Sequence, residues 1–197
     1  MIEITRETKE TVVKLALEPY GSGIIDIRTG IGFFDHMLNT LTFYAGFNLT
    51  INATGDLHVD THHTAEDVGI VLGNAIYEFM KTKPLVERFA SVTIPMDEAL
   101  VRSVIDLGGR RYLKCELPRL SERLGTFESD TIIPFLDALS SNAWMTLHID
   151  VLDGSNSHHI IEALFKSLGR ALKIALSQSN NTSSSIKGDP QISGGAI

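Results

Sequence analysis

Apolar and polar positions alternate along parts of the chain and recur with helical spacing along others, in an order that repeats once. Strict alternation, as at residues 47–53, predicts strands with one buried face. Apolar residues three and four positions apart, as in Val68, Val71, Leu72 and Ala75, predict amphipathic helices. Strands are predicted at residues 2–17, 24–28, 47–53, 57–60, 90–94, 100–107, 112–117 and 144–151, and helices at 33–44, 62–81, 129–141 and 158–176.

Each half of this pattern contains strands, a helix, further strands and a second helix. A turn rich in glycine and proline at residues 19–23 predicts that the first two strands form a hairpin. The polar run at residues 177–185 is predicted to be disordered. The pattern predicts an α+β fold with two repeated halves, in which helices cover a sheet. Two repeats, at about residues 1–89 and 90–197, are expected to form one domain.

The second helix of each half begins with the same motif, His-His-x-x-Glu. The motif residues are His62, His63 and Glu66 in the first half and His158, His159 and Glu162 in the second. On a helix, the first histidine and the glutamate share a face, whereas the second histidine points about 100° away. Imidazole and carboxylate ligands suit Mn, Fe, Zn, Co or Ni, and the absence of thiolates argues against structural zinc. Adjacent histidines can also merely cap a helix, but two copies in a duplicated chain favour two metal-binding half-sites.

Three further histidines stand near predicted element ends or within predicted strands. His36 lies at the start of a predicted helix, after a glycine-containing turn, and is a candidate ligand beside the two pairs. His58 and His148 occupy matching places in predicted strands that precede the two motifs. Because duplication alone explains that match, we expect structural roles for both.

A few charged side chains are candidates for acid–base chemistry and for anion binding. Glu10 could act as a general acid or base, although spacing alone does not distinguish it from the other acidic residues. Arg88, Arg110 and Lys187 lie in loops or near element ends. Each is more often a solvated charge, but an anionic substrate near metals needs such groups, because Arg binds phosphate with a planar fork and Lys as a point charge.

Composition narrows the class of protein. The chain has 197 residues, of which 43% are hydrophobic and 21% charged, as in globular proteins with a real core. No apolar run approaches the ~18 residues of a membrane span, and the N-terminus does not resemble a secretory signal. A single cysteine, Cys115, excludes an intrachain disulfide framework and fits a reducing cytoplasm. The net charge of −7 argues against non-specific nucleic-acid binding.

Four stretches together resemble the imidazoleglycerol-phosphate dehydratases, the manganese-dependent lyases of histidine biosynthesis. The stretches are Gly-Ile-Gly-Phe-Phe-Asp-His-Met-Leu at residues 30–38, Asp-Thr-His-His-Thr-Ala-Glu-Asp at 60–67, Pro-Met-Asp-Glu-Ala-Leu at 95–100 and His-His-Ile-Ile-Glu-Ala-Leu-Phe-Lys at 158–166. They occur in the family's order and span nearly the whole chain. The resemblance implies a tandem duplicated βα unit with mixed sheets covered by helices, as in ribosomal protein S5 domain 2. It also implies a 24-mer with sites between subunits, and dehydration of imidazoleglycerol phosphate to imidazoleacetol phosphate.

The resemblance also implies a role for particular residues. Two Mn²⁺ ions per active site would be held by His36, His62, His63, Glu66, His158, His159 and Glu162. The substrate would contact Glu10, His36, Tyr44, His62, His63, Glu66, Arg88, Arg110, His158, His159, Ser185 and Lys187. Catalysis would rest on Glu10, Glu66 and Glu162, with Glu10 carrying protons and the metals stabilising an imidazolate-like ring as Lewis acids.

Several residues depart from the family's pattern and leave an alternative open. Tyr44 and Pro134 stand where many members have histidines, and Ile186 stands where threonine is usual. Gly108 and Arg111 replace a serine and a proline beside Arg110. The leading hypothesis is an active dehydratase. The alternatives are a catalytically weak relative with a binding or structural role, and a metal hydrolase, which has suitable ligands but no family support.

Overall fold

The first half of the chain forms a four-stranded mixed sheet with two helices. The computed structural model describes residues 1–82 and 85–180. Its elements are β1 (Ile2–Glu7), β2 (Thr11–Glu18), β3 (Ile25–Arg28), α1 (Gly32–Ala45), β4 (Asn48–Gly55) and α2 (His62–Thr82). The strand order is β1-β2-β4-β3, and only β3 and β4 are parallel. Helix α1 makes the crossover that a parallel pair requires.

The second half has the same strand order. Its elements are β5 (Phe89–Met96), β6 (Ala99–Asp106), β7 (Tyr112–Glu116), β8 (Arg123–Leu124), β9 (Phe127–Glu128), a 3₁₀ turn (Ser129–Thr131), α3 (Ile132–Asn142), β10 (Thr146–Asp153) and α4 (Ser157–Ala175). The sheet runs β5-β6-β10-β7, with β7 parallel to β10. The short ribbon β8–β9 is an addition before α3. The predicted α+β class, mixed sheets with helices packed on them, is confirmed.

Helices α1 to α4 pack between the sheets of the two halves. Alternating residues of β2, such as Val13, Leu15 and Leu17, face inward because the strand period is two residues. Helix α2 packs on the first sheet and α4 on the second, while α2 also contacts α3 and α1 contacts α4. Close helix contacts occur at Gly69 and Gly169, where an added Cβ would meet a backbone carbonyl oxygen at 2.6 Å and 2.3 Å, respectively.

The helices run parallel within each packed pair, which gives the protein two chemically different ends. Along α1 and α4, His36 lies beside Glu162, Leu41 beside Gly169 and Gly46 beside Lys173. Thr11 pairs with Gly55 and Leu100 with Asp153, so the β1–β2 and β5–β6 hairpins lie beside the carboxyl ends of β4 and β10. The first turns of α1, α2 and α4 lie at this same end. We call this the histidine end. The opposite end, which carries Arg88 and Arg110, is the arginine end.

The opening hairpin differs from the one predicted. Residues 2–17 form two strands that turn at Thr8–Glu10, and not one strand. The segment 24–28 was expected to pair antiparallel with them, but β3 pairs in parallel with β4 instead. The local pattern of β3 fits either partner, and the crossover through α1 decides between them.

The predicted strand at residues 57–60 is wrong, and so is the match between His58 and His148. Residues 57–59 form a turn in which Val59 is 60% exposed, so the brief alternation there has no buried face. His148 lies in β10, whose counterpart in the first repeat is β4 and not the His58 segment.

The polar run after α4 is partly ordered. Gln178 forms an isolated bridge with Val86, and the Ser179 N–H donates to the Leu85 carbonyl at 3.3 Å. Disorder is therefore the wrong prediction for residues 177–180, which pair with the chain before β5. Ser185, Ile186 and Lys187 lie outside the described residues. None of the helices in the described ranges is long and apolar enough to span a membrane.

Candidate metal and catalytic site

Three predicted metal ligands meet at the histidine end, where α1 packs on α4. His36 Nε2 lies 3.6 Å from Glu162 Oε2, and His158 Nε2 lies 3.0 Å from the same oxygen. Within the described residues, these three side chains form a group whose ligand atoms all lie within 4.8 Å of one another. The side chains come together because α1 and α4 run parallel, which brings the first turns of both helices to one end.

The donor set of this group fits a divalent cation. Two ligand atoms at right angles around an ion, each roughly 2.1 Å away, lie about 3 Å apart. The two distances from Glu162 Oε2 to the histidine nitrogens, 3.0 Å and 3.6 Å, are near this value. Two imidazoles and one carboxylate are the facial set that first-row metals use with open positions left for substrate. His36, His158 and Glu162 can therefore bind such an ion without rearrangement of the helices.

Glu162 is held in place by a lysine one turn further along α4. Lys166 Nζ lies 2.8 Å from Glu162 Oε1, so the other oxygen, Oε2, faces the two histidines. Partial burial acts to raise the pKa of Glu162, but hydrogen bonds from Lys166 and His158 outweigh it and lower the pKa. The carboxylate is consequently ionised and oriented for binding a metal through one oxygen.

The first histidine pair lies at the start of α2 with a more open arrangement. The Asp60 side chain accepts a hydrogen bond from the His62 N–H at 2.8 Å and so satisfies a donor in the first turn of the helix. His62 Nε2 lies 3.9 Å from Glu66 Oε2, one turn along the helix. No lysine follows Glu66 in the way that Lys166 follows Glu162, since position 70 is isoleucine.

The β1–β2 hairpin brings Glu10 to this pair. Arg6 Nε donates to Asp67 Oδ1 at 2.9 Å, and Thr11 Oγ1 also bonds to the Asp67 carboxylate, so the hairpin is tied to α2. Glu10 Oε2 then lies 3.8 Å from His63 Nδ1, with 58% of its side chain exposed. A carboxylate placed by the hairpin near a candidate metal ligand, yet open to solvent, is suited to proton transfer.

The second histidine of each pair binds a carboxylate through Nδ1. His63 Nδ1 lies 3.0 Å from Asp56 Oδ2, and His159 Nδ1 lies 2.7 Å from Glu98 Oε2. The hydrogen bond to Asp56 raises the pKa of His63, and the hydrogen bond to Glu98 raises the pKa of His159. The hydrogen bond to His63 lowers the pKa of Asp56. The hydrogen bond to His159, together with backbone N–H donors such as that of Asn156, lowers the pKa of Glu98 to about 2.

The predicted phosphate-binding arginines lie together at the arginine end. Arg88 Nε donates to Asp106 Oδ1 at 2.6 Å, and Arg110 Nη2 lies 3.8 Å from Asp106 Oδ2. The Arg88 N–H bonds to the carbonyl of Ala175, the last residue of α4. Since α4 rises about 1.5 Å per residue, Arg88 lies roughly 25 Å from His158, the second residue of that helix.

Tyr44 lies away from His36, its nearest histidine in the sequence. It lies eight residues after His36 on α1, which corresponds to about 12 Å along the helix, toward the arginine end. Pro134 lies in the first turn of α3, a position where proline's fixed φ and missing N–H are tolerated. Neither Tyr44 nor Pro134 is part of the His36–His158–Glu162 group.

Comparison with known proteins identifies the family. The family profile described as imidazoleglycerol-phosphate dehydratase matches residues 29–172. The chain belongs to the imidazoleglycerol-phosphate dehydratase family. The imidazoleglycerol-phosphate dehydratase of Thermoanaerobacter pseudethanolicus is 53% identical over 174 residues, which cover 88% of this chain and 90% of the relative. That of Oceanobacillus iheyensis is 49% identical over 86% of this chain and 88% of its own.

Solved structures of the dehydratase family share the fold. The crystal structure of imidazoleglycerol-phosphate dehydratase from Staphylococcus aureus matches with a TM-score of 0.83 at 39% identity, covering 90% of this chain and 99% of its own. The enzyme from Pyrococcus furiosus, in complex with (S)-C348, matches with a TM-score of 0.81 at 36% identity, covering 94% and 99%. The predicted family, fold and enzyme class, a dehydratase, are therefore confirmed.

Sequence reasoning missed several residues that shape this dehydratase site. Asp56, Glu98 and Lys166 hold His63, His159 and Glu162, respectively. For Lys166, helical spacing from Glu162 could have indicated the contact, because residues four apart are neighbours. The two other carboxylates approach their histidines from different elements, and no local pattern signals such contacts.

Proposed function

We propose that this chain dehydrates imidazoleglycerol phosphate to imidazoleacetol phosphate in histidine biosynthesis, as a manganese-dependent cytoplasmic enzyme. The observation that carries the proposal is the convergence of His36, His158 and Glu162 in a chain of the dehydratase family. The first histidine pair, His62 and His63, lies at the same end of the molecule, next to Glu10. The candidate metal ligands and a candidate proton carrier, Glu10, therefore lie at the same end of the molecule.

The proposal assigns two Mn²⁺ ions to each active site. His36, His158 and Glu162 supply one preassembled donor set, and the remaining ligands would be His62, His63, Glu66 and His159. When bound, the ions would supply Lewis-acid stabilisation of negative charge on the substrate's imidazole ring. The donor set of nitrogen and carboxylate oxygen, without thiolate, accepts manganese among other first-row metals, and the family resemblance is the reason for choosing manganese.

Within this proposal, Glu10 carries the proton that leaves carbon. Its side chain is open to solvent, and it lies against His63 at 3.8 Å, so it can reach a substrate placed at the histidine end. Glu162 is engaged by Lys166 and two histidines, which suits a ligand rather than a base. Glu66 is a ligand with more freedom, because His62 is 3.9 Å away.

The distance between the candidate phosphate-binding arginines and the histidine end supports a homo-oligomer. Arg88 and Arg110 are suited to a phosphate, but they lie roughly 25 Å from His158 of the same chain. A small substrate cannot span that distance, so we propose that one protomer supplies the histidine end and another the arginine end. A closed assembly of 24 subunits, as the sequence resemblance implied, would have a mass of about 520 kDa from its 21.6 kDa chains. Light scattering after size-exclusion chromatography measures that mass.

A turnover assay on chelator-treated protein tests the reaction and the cofactor together. Treated protein is expected to have no turnover of imidazoleglycerol phosphate, and added Mn²⁺ is expected to restore it. Protein that takes up Mn²⁺ but produces no imidazoleacetol phosphate would contradict the proposal and favour the catalytically weak relative. Restoring histidine at Tyr44 and Pro134 would then be the next experiment.

A substitution at Glu162 tests the ligand assignment. Glu162→Gln removes the negative charge at Oε2, so bound Mn²⁺ and turnover are expected to fall together. Glu78→Gln is the matched control, because Glu78 pairs with Lys81 on the exposed surface of α2. Full metal content and full activity in Glu162→Gln would refute the role of Glu162.

A further inference from the structure

The second histidine of each pair has its Nδ1 atom against a carboxylate, and the two carboxylates come from different elements. Asp56 follows β4 and lies 3.0 Å from His63 Nδ1. Glu98 lies in the β5–β6 hairpin, 2.7 Å from His159 Nδ1. The repeats thus produce the same local contact by two routes, although duplication alone would have produced it by one.

The contact determines which ring nitrogen is available to a metal. An ionised carboxylate can only accept a hydrogen bond, so Nδ1 must carry the proton in each neutral imidazole. The lone pair then resides on Nε2, on the far side of the ring. A carboxylate that holds a histidine in this way fixes both its tautomer and its ring orientation.

The hairpin carboxylates of the two repeats have separate tasks. Glu98 Oε1 also accepts hydrogen bonds from the backbone N–H groups of Ser155 at 3.2 Å and Asn156 at 2.8 Å, so Glu98 is bound to the loop before α4. Glu10 occupies the corresponding hairpin of the first repeat, between β1 and β2. Within residues 1–82 and 85–180, its carboxylate accepts no hydrogen bond, and Asp56 holds the histidine in its place.

We infer that Asp56 and Glu98 are positioning residues that orient His63 and His159 to bind metal through Nε2. Because Asp56 performs this task in the first repeat, Glu10 remains free for proton transfer. The inference rests on the proposed metal-dependent function. It adds two residues, and a division of labour between the repeats, to the ligands predicted from the sequence.

Metal affinity tests the inference independently of turnover. Asp56→Ala and Glu98→Ala are each expected to raise the Kd for Mn²⁺ by about 10- to 100-fold, measured by titration of the full-length protein with Mn²⁺. Asp56→Asn and Glu98→Gln keep a carbonyl oxygen that can accept the Nδ1 proton, so they are expected to recover much of the affinity. Asp150→Ala is the control, because the Asp150 carboxylate bonds to Arg102 on the outer face of the second sheet.

The outcomes separate this inference from the proposed function. Wild-type protein that binds Mn²⁺ while both alanine variants bind it equally well would overturn the positioning role alone. Wild-type protein that binds no Mn²⁺ would overturn the metal centre and the inference with it. If the alanine variants fail to fold, solid-state ¹⁵N NMR of metal-free wild-type protein at high pH decides. The Nδ1–H tautomer is expected for His63 and His159, and Nε2–H at both would overturn the inference.

Discussion

Replacement of Gly169 by alanine should separate the two helices that bring the candidate metal ligands together. Gly169 lies in α4 directly against the carbonyl of Leu41 in α1, and a Cβ added there would lie 2.3 Å from that oxygen. Ordinary van der Waals contact begins at 3.4 Å, so the helices would have to move apart by about 1 Å. The neighbouring atom belongs to the backbone, which cannot rotate away as a flexible side chain can.

Two opposing contributions determine how much Gly169→Ala changes the free energy of unfolding. Alanine favours a helix over glycine by about 1 kcal/mol. Overpacking in a close contact costs about 1–3 kcal/mol of stability. The cost at Gly169 is expected at the upper limit, because the atom that the new Cβ would meet belongs to the backbone. The free energy of unfolding is therefore expected to fall by about 2 kcal/mol, which corresponds to a decrease in Tm of about 4–8 °C for a chain of this size.

The same displacement should weaken metal binding. His36 is on α1 and Glu162 on α4, only 3.6 Å apart, while metal–ligand distances tolerate only about 0.2 Å of change. Calorimetry of metal-free protein and a Mn²⁺ titration measure the two effects. Gly32→Ala is the control, because Gly32 lies in α1, the other helix of this pair, but has open space around its Cβ position. A Gly169→Ala variant with wild-type Tm and wild-type Mn²⁺ affinity would refute the packing argument.

Three further predictions follow from other parts of the structure. Burial raises the pKa of Cys115 to about 12, so a thiol reagent at pH 8 should react with it about 1000-fold more slowly in the folded than in the unfolded protein. Gly108→Ala would place a Cβ 2.5 Å from Arg88 Nη2, so it should disturb the Arg88–Asp106 pair. Denaturant titration is expected to show a loss of about 1 kcal/mol in the free energy of unfolding. In an Asp106→Ala background, where the pair is already absent, Gly108→Ala should cause no further loss. The pKa of Glu98 is lowered to about 2, so its contribution to stability is present above the usual 4.5 and is lost as pH falls toward 2. The difference in Tm between wild-type protein and Glu98→Gln should accordingly shrink over that range, and a constant difference would contradict the assignment.

The local patterns of the sequence were sufficient for most of the elements. Apolar spacing predicted all four helices to within a few residues, because each amphipathic helix has a single buried stripe. The His-His-x-x-Glu spacing correctly indicated that His158 and Glu162 share a helix face, where they lie 3.0 Å apart. These inferences succeeded because the periods of the helix and of the strand relate residues that are close in the chain.

The strand errors arose where two arrangements share one local pattern. The apolar alternation in Ile25–Arg28 is compatible with an antiparallel hairpin or with a parallel neighbour. Residues 57–60 alternate as a strand does, yet they have no partner strand and face solvent. Alternation shows only that one face of a segment is suited to burial. Whether that face is buried depends on whether the tertiary structure places a neighbouring strand and a packing surface beside it.

The sequence by itself determined the family, the paired histidines and the helices that carry them. The tertiary structure decided which carboxylates hold those histidines, since Asp56 and Glu98 reach His63 and His159 from separate segments. It also decided that the arginines lie at the opposite end from the candidate metal ligands. The physical reason is that a hydrogen bond or an ion pair depends on distance in space, and chain topology, rather than spacing in the sequence, determines that distance.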